Sequence, residues 1–231
     1  MKTHLFFSLF SSSVLLTAFT ACVVPVNSSF ESAATVPKGH TELRGNFSHY
    51  FASAKEDGDR ETEAVNTNLG VGVGVPVAQN ADVRFRYEML IPKKYDGERP
   101  ELTHYFSLAP KYSFARQKVA FKLPLSLYYV EDDTEWLISP QLLFSPVRQT
   151  NFDLTVSGKL DIFLGKDAEF SDSFVGFTLG AGVGKDVEKG AFRPEIGLMF
   201  ALDEDDDGTT SLWTVGLAYC YRFAGKRAAN R

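Results

Sequence analysis

The sequence predicts an all-β protein, an antiparallel up-and-down transmembrane β-barrel of about ten strands. Three observations lead there. Side chains alternate in character with a period of two through about ten stretches, as they must where successive residues of a strand point to opposite faces. Each stretch is about ten residues long, the length a tilted strand needs to cross a bilayer. The connections alternate between long acidic segments and short turns, which is how bacterial barrels join their strands. A sheet can cross hydrocarbon only when closed, because closure leaves no backbone group unpaired.

The elements follow in order. Residues 1–21 read as an export signal: Lys2, then a mainly apolar stretch from Leu5 to Phe19, a segment removed rather than folded. Residues 22–38 read as a polar periplasmic tether. The first strand, 39–52, sets Leu43, Gly45, Phe47 and Phe51 against Glu42, Arg44, Asn46 and Ser48. The second, 64–75, sets Val65, Thr67, Leu69, Val71, Val73 and Val75 against Asn66, Asn68, Gly70, Gly72 and Gly74. The third, 82–91, places Val83, Phe85, Tyr87, Met89 and Ile91 opposite Asp82, Arg84, Arg86 and Glu88. Strands follow at 102–114, 119–129, 136–144, 152–163, 174–184, 192–201 and 212–223. Residues 224–231 form a short basic tail with Lys226, Arg227 and Arg231. Five connections are expected to be long and acidic (53–63, 92–101, 131–135, 165–173 and 203–210) and four to be short turns (76–80, 115–118, 145–151 and 185–190).

The competing fold is a soluble β-sandwich or lipocalin-like barrel, whose polar face meets water. Interior Gly weakens a strand, so a solvated face gains nothing from Gly70, Gly72, Gly74, Gly176, Gly180, Gly182 and Gly184. A crowded, narrow lumen does need small residues. Outside the signal, no run of about 18 apolar residues could form a membrane helix. The 20 Phe and 13% aromatic content suit a lipid-facing surface with aromatic girdles. A net charge of -5 argues against nucleic acid as partner. Nothing resembles an interdomain linker, so one domain is expected.

Phe19-Thr20-Ala21-Cys22 resembles the lipobox of bacterial lipoproteins, in which the cysteine becomes the first mature residue and carries the lipid; the family usually has Leu where Phe19 stands. The last strand, with Tyr219, Tyr221 and Phe223 at successive outward positions, resembles the outer-membrane assembly signal, although Phe223 is not terminal here. Over 39–223 the chain resembles small bacterial outer-membrane β-barrels as a class. That resemblance implies a Gram-negative outer membrane with extracellular loops and both termini periplasmic. The implied partners are outer-membrane lipids, lipopolysaccharide and, during biogenesis, the assembly machinery. Cys22 is the expected lipidation site.

Inward parity collects Glu42, Arg44, Asp82, Arg84, Arg86, Glu88, Lys122, Lys159, Asp161, Arg193, Glu195 and Arg222, roughly balanced in sign. Charge in a narrow interior is tolerated when partnered, so a network filling the lumen is expected. Ten strands lie between the filled interior of eight and the open channel of sixteen, which favours a plugged barrel over a porous one. His40, His49 and His104 survive removal of the signal. The same-face neighbours two residues from His49 and His104 are Phe47, Phe51, Leu102 and Phe106, so neither strand itself supplies a Ser or Thr partner. Interfacial anchoring is the expectation, and no catalytic residue is assigned.

Cys220 lies in the last strand and reads as a buried thiol. Asp203, Asp205 and Asp207, followed by Gly208, open like a calcium loop, but Thr214 stands where the closing Glu belongs. No cofactor is expected beyond weakly bound Ca2+. The expected function is structural, in envelope integrity or surface interaction, with a lipid-modifying hydrolase or a narrow diffusion channel as the alternatives.

Overall fold

The computed structural model describes residues 25–56, 59–94, 101–131, 133–164, 173–202 and 211–225. Twelve strands are present: β1 (His40–Glu56), β2 (Asp59–Ala78), β3 (Ala81–Pro92), β4 (Thr103–Phe114), β5 (Val119–Lys122), β6 (Leu125–Val130), β7 (Asp133–Ile138), β8 (Gln141–Arg148), β9 (Phe152–Phe163), β10 (Phe174–Asp186), β11 (Gly190–Ala201) and β12 (Ser211–Ala224). β5 and β6 form one stave against β4, and β7 and β8 another against β9. The result is ten antiparallel staves. β1 pairs with β12 from His40↔Ala224 to Ser53↔Ser211, which closes the barrel. The fold is the one the alternation predicted. The described residues contain no helix long and apolar enough to cross a membrane.

Three sequence expectations change in detail. The staves expected to be continuous over 119–129 and 136–144 break at Leu123-Pro124 and Ser139-Pro140, because proline has no N–H to give the ladder. The sheet stays joined around the breaks: Ser139 N donates to Pro124 O at 2.9 Å and Leu160 N to Pro140 O at 3.1 Å. The long connection expected at 53–63 is mostly hairpin, since β1 and β2 remain paired up to Glu56↔Asp59. Likewise Val130 already pairs with Asp133, leaving only 131–132 of the connection expected at 131–135. Polar residues at these two hairpins signal water rather than irregular chain. The connections 93–102, 164–173 and 202–210 remain long and share one mouth, while 79–80, 115–118, 149–151 and 187–189 turn at the other.

Outside, the wall exposes Leu43, Phe47, Leu69, Val71, Val73, Phe85, Leu108, Leu142, Phe177, Ile196 and Val215, with Val71 58% exposed. Aromatic rings band its two ends. Tyr112, Phe114, Phe192, Tyr219 and Tyr221 lie toward the short-turn mouth, and Trp136, Tyr129, Phe51 and Trp213 toward the long-loop mouth. This is the surface that outer-membrane barrels present to hydrocarbon and its two interfaces.

The residues expected to form a periplasmic tether do not lie free. Residues 25–36 are buried and climb through the barrel. At the short-turn mouth, Val36 N donates to Asp82 Oδ2 at 2.7 Å, two residues into β3. At the other end, Val26 clusters with Leu90, Tyr105, Tyr128 and Leu137, with Phe163 against them, within a few residues of the long-loop ends of β3, β4 and β9. Eleven residues can reach at most about 36–40 Å, enough to run between the two mouths across about 30 Å of hydrocarbon. Pro25 therefore lies toward the opposite mouth from Gly225, which bonds Gly39 at 2.7 Å. Over 25–36 the reading of residues 22–38 as a polar periplasmic tether is thus corrected: this part of the chain lies inside the barrel. Seven of its twelve side chains are Ser, Ala, Thr or Glu, the rest being Pro25, Val26, Asn27, Phe30 and Val36, and Phe30 is the largest of them that the lumen takes in.

Candidate functional site: the occupied lumen

The lumen segment meets the wall almost entirely through side chains. Its amides donate to wall oxygens: Val26 to Tyr128 Oη at 2.8 Å, Asn27 to Tyr50 Oη at 2.9 Å and Ala33 to Ser145 Oγ at 2.9 Å. Its carbonyls accept from cations. Lys159 Nζ donates to Val26 O at 2.7 Å, Arg44 Nη1 to Ser29 O at 2.7 Å and Lys111 Nζ to Ala34 O at 2.8 Å. Arg86 donates to Ser28 O as well. At mid-height two successive amides, Ser29 and Phe30, donate to the two carboxylate oxygens of Glu195 at 2.6 and 2.8 Å. Phe30 adopts φ 53° to allow this. A left-handed conformation costs a non-glycine residue about 1–2 kcal/mol, which two charge-assisted hydrogen bonds can offset.

Glycines shape the wall to the segment. A Cβ on Gly216 would come within 2.5 Å of the Phe30 ring, and one on Gly74 within 3.0 Å of Val36. Gly176 and Gly197 flank Asn27, whose side chain would lie 2.5 and 2.6 Å from their added Cβ atoms. Small residues here accommodate a resident chain as well as large lumen side chains.

Charge completes the fit. Glu31, 4% exposed, receives Lys122 at 2.9 Å, Arg44 at 3.2 Å, Lys111 at 3.4 Å and Arg84 at 3.7 Å. Four cations, from β1, β3, β4 and β5, thus converge on one carboxylate of the segment. On the wall, Arg84 also pairs with Glu42 and with Asp82 at 3.0 Å, and Arg222 with Glu42 at 2.7 Å. Arg86 pairs with Glu88, which also accepts from Asn46 at 2.6 Å and Asn68 at 3.2 Å. Lys159 meets Asp161 at 2.5 Å. Arg193 grips Asp153 with two bonds, at 2.9 and 2.6 Å.

All twelve lumen residues singled out in the sequence face inward. Three further charges complete the network. Lys111 shares the inward parity of Tyr105, Ser107 and Ala109, and Asp153 that of Thr155 and Ser157; alternation alone would have marked both. Glu31 carries no such signal, because its segment is not a strand. Among the described residues, the buried wall charges are Arg44, Arg84, Arg86, Lys111, Lys122, Lys159, Arg193 and Arg222 against Glu42, Asp82, Glu88, Asp153, Asp161 and Glu195. Eight cations face six carboxylates, and Glu31 supplies a seventh.

The cavity beside the segment, bordered by Glu31, Arg44, Arg86 and Lys122, has a volume of about 20 Å³, room for about one water. A recess of about 580 Å³ lies among the turns at the short-turn mouth, beside Tyr112, Arg116, Arg148 and Glu188.

The histidines lie elsewhere. His49 Nδ1 is 2.9 Å from Thr67 Oγ1 on the neighbouring strand and 3.4 Å from Asn66 O; its ring packs between Phe47 and Phe51. His104 Nδ1 is 3.0 Å from Tyr87 Oη. The hydroxyl that His49 lacks in its own strand is thus supplied across the ladder, but the same ring nitrogen faces the Asn66 carbonyl. His40 is half-buried at the start of β1 and its Nδ1 has no hydrogen-bond partner. Cys220 is a buried thiol whose Sγ points at Phe30 O, 3.8 Å away. Among the described residues no group of three or more His, Cys, Asp or Glu is placed to hold a metal. Asp203, Asp205 and Asp207, and Cys22, lie outside the described residues.

Neither a family model nor a characterised relative matches the sequence. The fold, however, is similar to solved structures. The translocator domain of the autotransporter NalP from Neisseria meningitidis superposes with a TM-score of 0.50 at 7% identity, over 79% of this chain and 88% of that one. An outer membrane channel from Pseudomonas putida F1 gives a TM-score of 0.50 at 11% identity, over 87% of this chain and all of that one. At such identities the likeness is one of fold: this chain is a closed ten-stave barrel of the outer-membrane type.

Proposed function

We propose that this chain is a non-enzymatic outer-membrane barrel, kept shut by its own residues 25–36, that serves envelope integrity or surface interaction through its loops. The occupied lumen carries the reading: residues 25–36 are buried and bonded to wall side chains along their length, and the cavity beside them, about 20 Å³, is too small to pass a solute. Partners of such a protein are the lipids and lipopolysaccharide around it, met by the apolar wall and by the long connections. A lipid on Cys22 supplies a second attachment. Mass spectrometry of the mature N-terminal peptide tests the acylation.

The closure is tested by planar-bilayer recording. Intact protein is expected to give no steady conductance, and a variant lacking 25–36 to give open steps. Steady conductance from intact protein contradicts the proposal. A lipid-modifying hydrolase is the second reading, favoured by the Thr67–His49 contact alone. Replacing His49 or His104 by Ala is expected to leave the envelope lipid profile unchanged, and a changed acylation pattern would favour the hydrolase.

A further inference from the structure

We infer that the lumen holds an oxyanion site, formed by Arg44, Arg84, Lys111 and Lys122, in which the Glu31 carboxylate is the resident occupant. The ligand class is a small carboxylate or a similar oxyanion. This deepens the closed-barrel reading and rests on the placement of residues 25–36, because the site is the wall surface that the segment covers.

Three observations meet at one place. The first is convergence. Four cations from four strands lie 2.9 to 3.7 Å from the two oxygens of a single carboxylate. Arg84 and Lys111 also have wall carboxylates within reach, Asp82 for both and Glu42 for Arg84. Arg44 and Lys122 have Glu31 as their ion-pair partner. If Glu31 leaves, these two lose their counter-charge at a buried position, where an unpaired charge is costly. The second is an unused donor: Arg44 Nε is buried with no hydrogen-bond partner, and Arg44 is 7% exposed. The third is adjacency. The water-sized cavity borders Glu31 and three of the four cations, Arg44, Arg84 and Lys122. With eight wall cations against six wall carboxylates, the emptied lumen carries net positive charge. A guanidinium fork beside two ammonium groups matches a planar carboxylate or a phosphate.

The site can be emptied without removing the segment. Glu31→Ala in the otherwise intact mature chain leaves a carboxylate-sized gap between the four cations. The protein is refolded from urea into detergent in sodium acetate or in sodium chloride of equal concentration, and the folded fraction is read by gel mobility before and after heating. Acetate is expected to raise the folded fraction of Glu31→Ala severalfold over chloride and to leave the unaltered protein unchanged. Equal yields in the two salts, including failure to fold in both, overturn the inference. A second measurement uses the variant lacking 25–36 across a potassium chloride gradient. A reversal potential of anion-selective sign is expected. Conductance without anion preference overturns this inference and leaves the closure reading standing, whereas conductance in the intact protein counts against closure alone.

Discussion

Between β1 and β2, Phe47 stands opposite Leu69 and Gly45 opposite Val71, each pair held by a ladder that uses only backbone atoms. Between Val26 and Val36 the chain has no such ladder: Ser29 and Phe30 donate to a carboxylate, and Ser29 O and Ala34 O accept from a guanidinium and an ammonium. A wall held by backbone tolerates exchange of its side chains, provided hydrocarbon still accepts them. A segment held by side chains depends on each residue that meets it. The same buried polar bonds that make the lumen segment specific also make it fragile, since a buried group stripped of its partner costs more than the bond contributed.

The largest break of this contrast is Glu31→Lys. It puts a fifth cation among four and leaves the Glu31-dependent pairs uncompensated, an expected loss of about 3–5 kcal/mol or more. The urea midpoint of the folded barrel in detergent or bilayer checks it. On the wall, Val71→Arg is expected to cost about 2–4 kcal/mol if that position meets hydrocarbon at mid-membrane, while Val71→Ala should stay within about 1 kcal/mol. A neutral Val71→Arg would show that water bathes this face. Below Val71→Arg in size, Glu195→Ala leaves the amides of Ser29 and Phe30 without acceptors and the left-handed Phe30 unsupported. The expected loss is about 1–3 kcal/mol, with faster hydrogen exchange at those two amides and no change at the ladder between β1 and β2.

The wall was legible because its signal is periodic and repeated. Leu69, Val71 and Val73 against Gly70, Gly72 and Gly74 cannot be placed on a strand without assigning their faces, and each further strand repeats that constraint. The Pro124 and Pro140 breaks were visible as residues but masked by alternation that continues on both sides of them. The reach of the hairpin at 53–63 escaped because polar residues on both strand faces resemble a loop. Residues 25–36 escaped for a different reason. Ser28, Ser29, Ser32, Ala33 and Ala34 have no period and no apolar stripe, so the segment reads as a solvated tether. Its burial depends on residues more than a hundred positions away, such as Tyr128, Ser145 and Glu195. Pairing of charges was foreseeable from inward parity; the convergence on Glu31 required the fold.

The most direct test is a disulfide between the segment and the wall. Ala33 N lies 2.9 Å from Ser145 Oγ, so Ala33→Cys with Ser145→Cys, in a chain whose Cys22 and Cys220 are replaced by Ala, brings two thiols together inside the lumen. Oxidation of the folded protein should join the peptides carrying positions 33 and 145 in nearly every molecule, with the pairing read by mass spectrometry. A folded barrel in which these cysteines stay reduced, or in which the cysteine at 33 reacts freely with a bulky water-soluble maleimide, would place the segment outside the lumen.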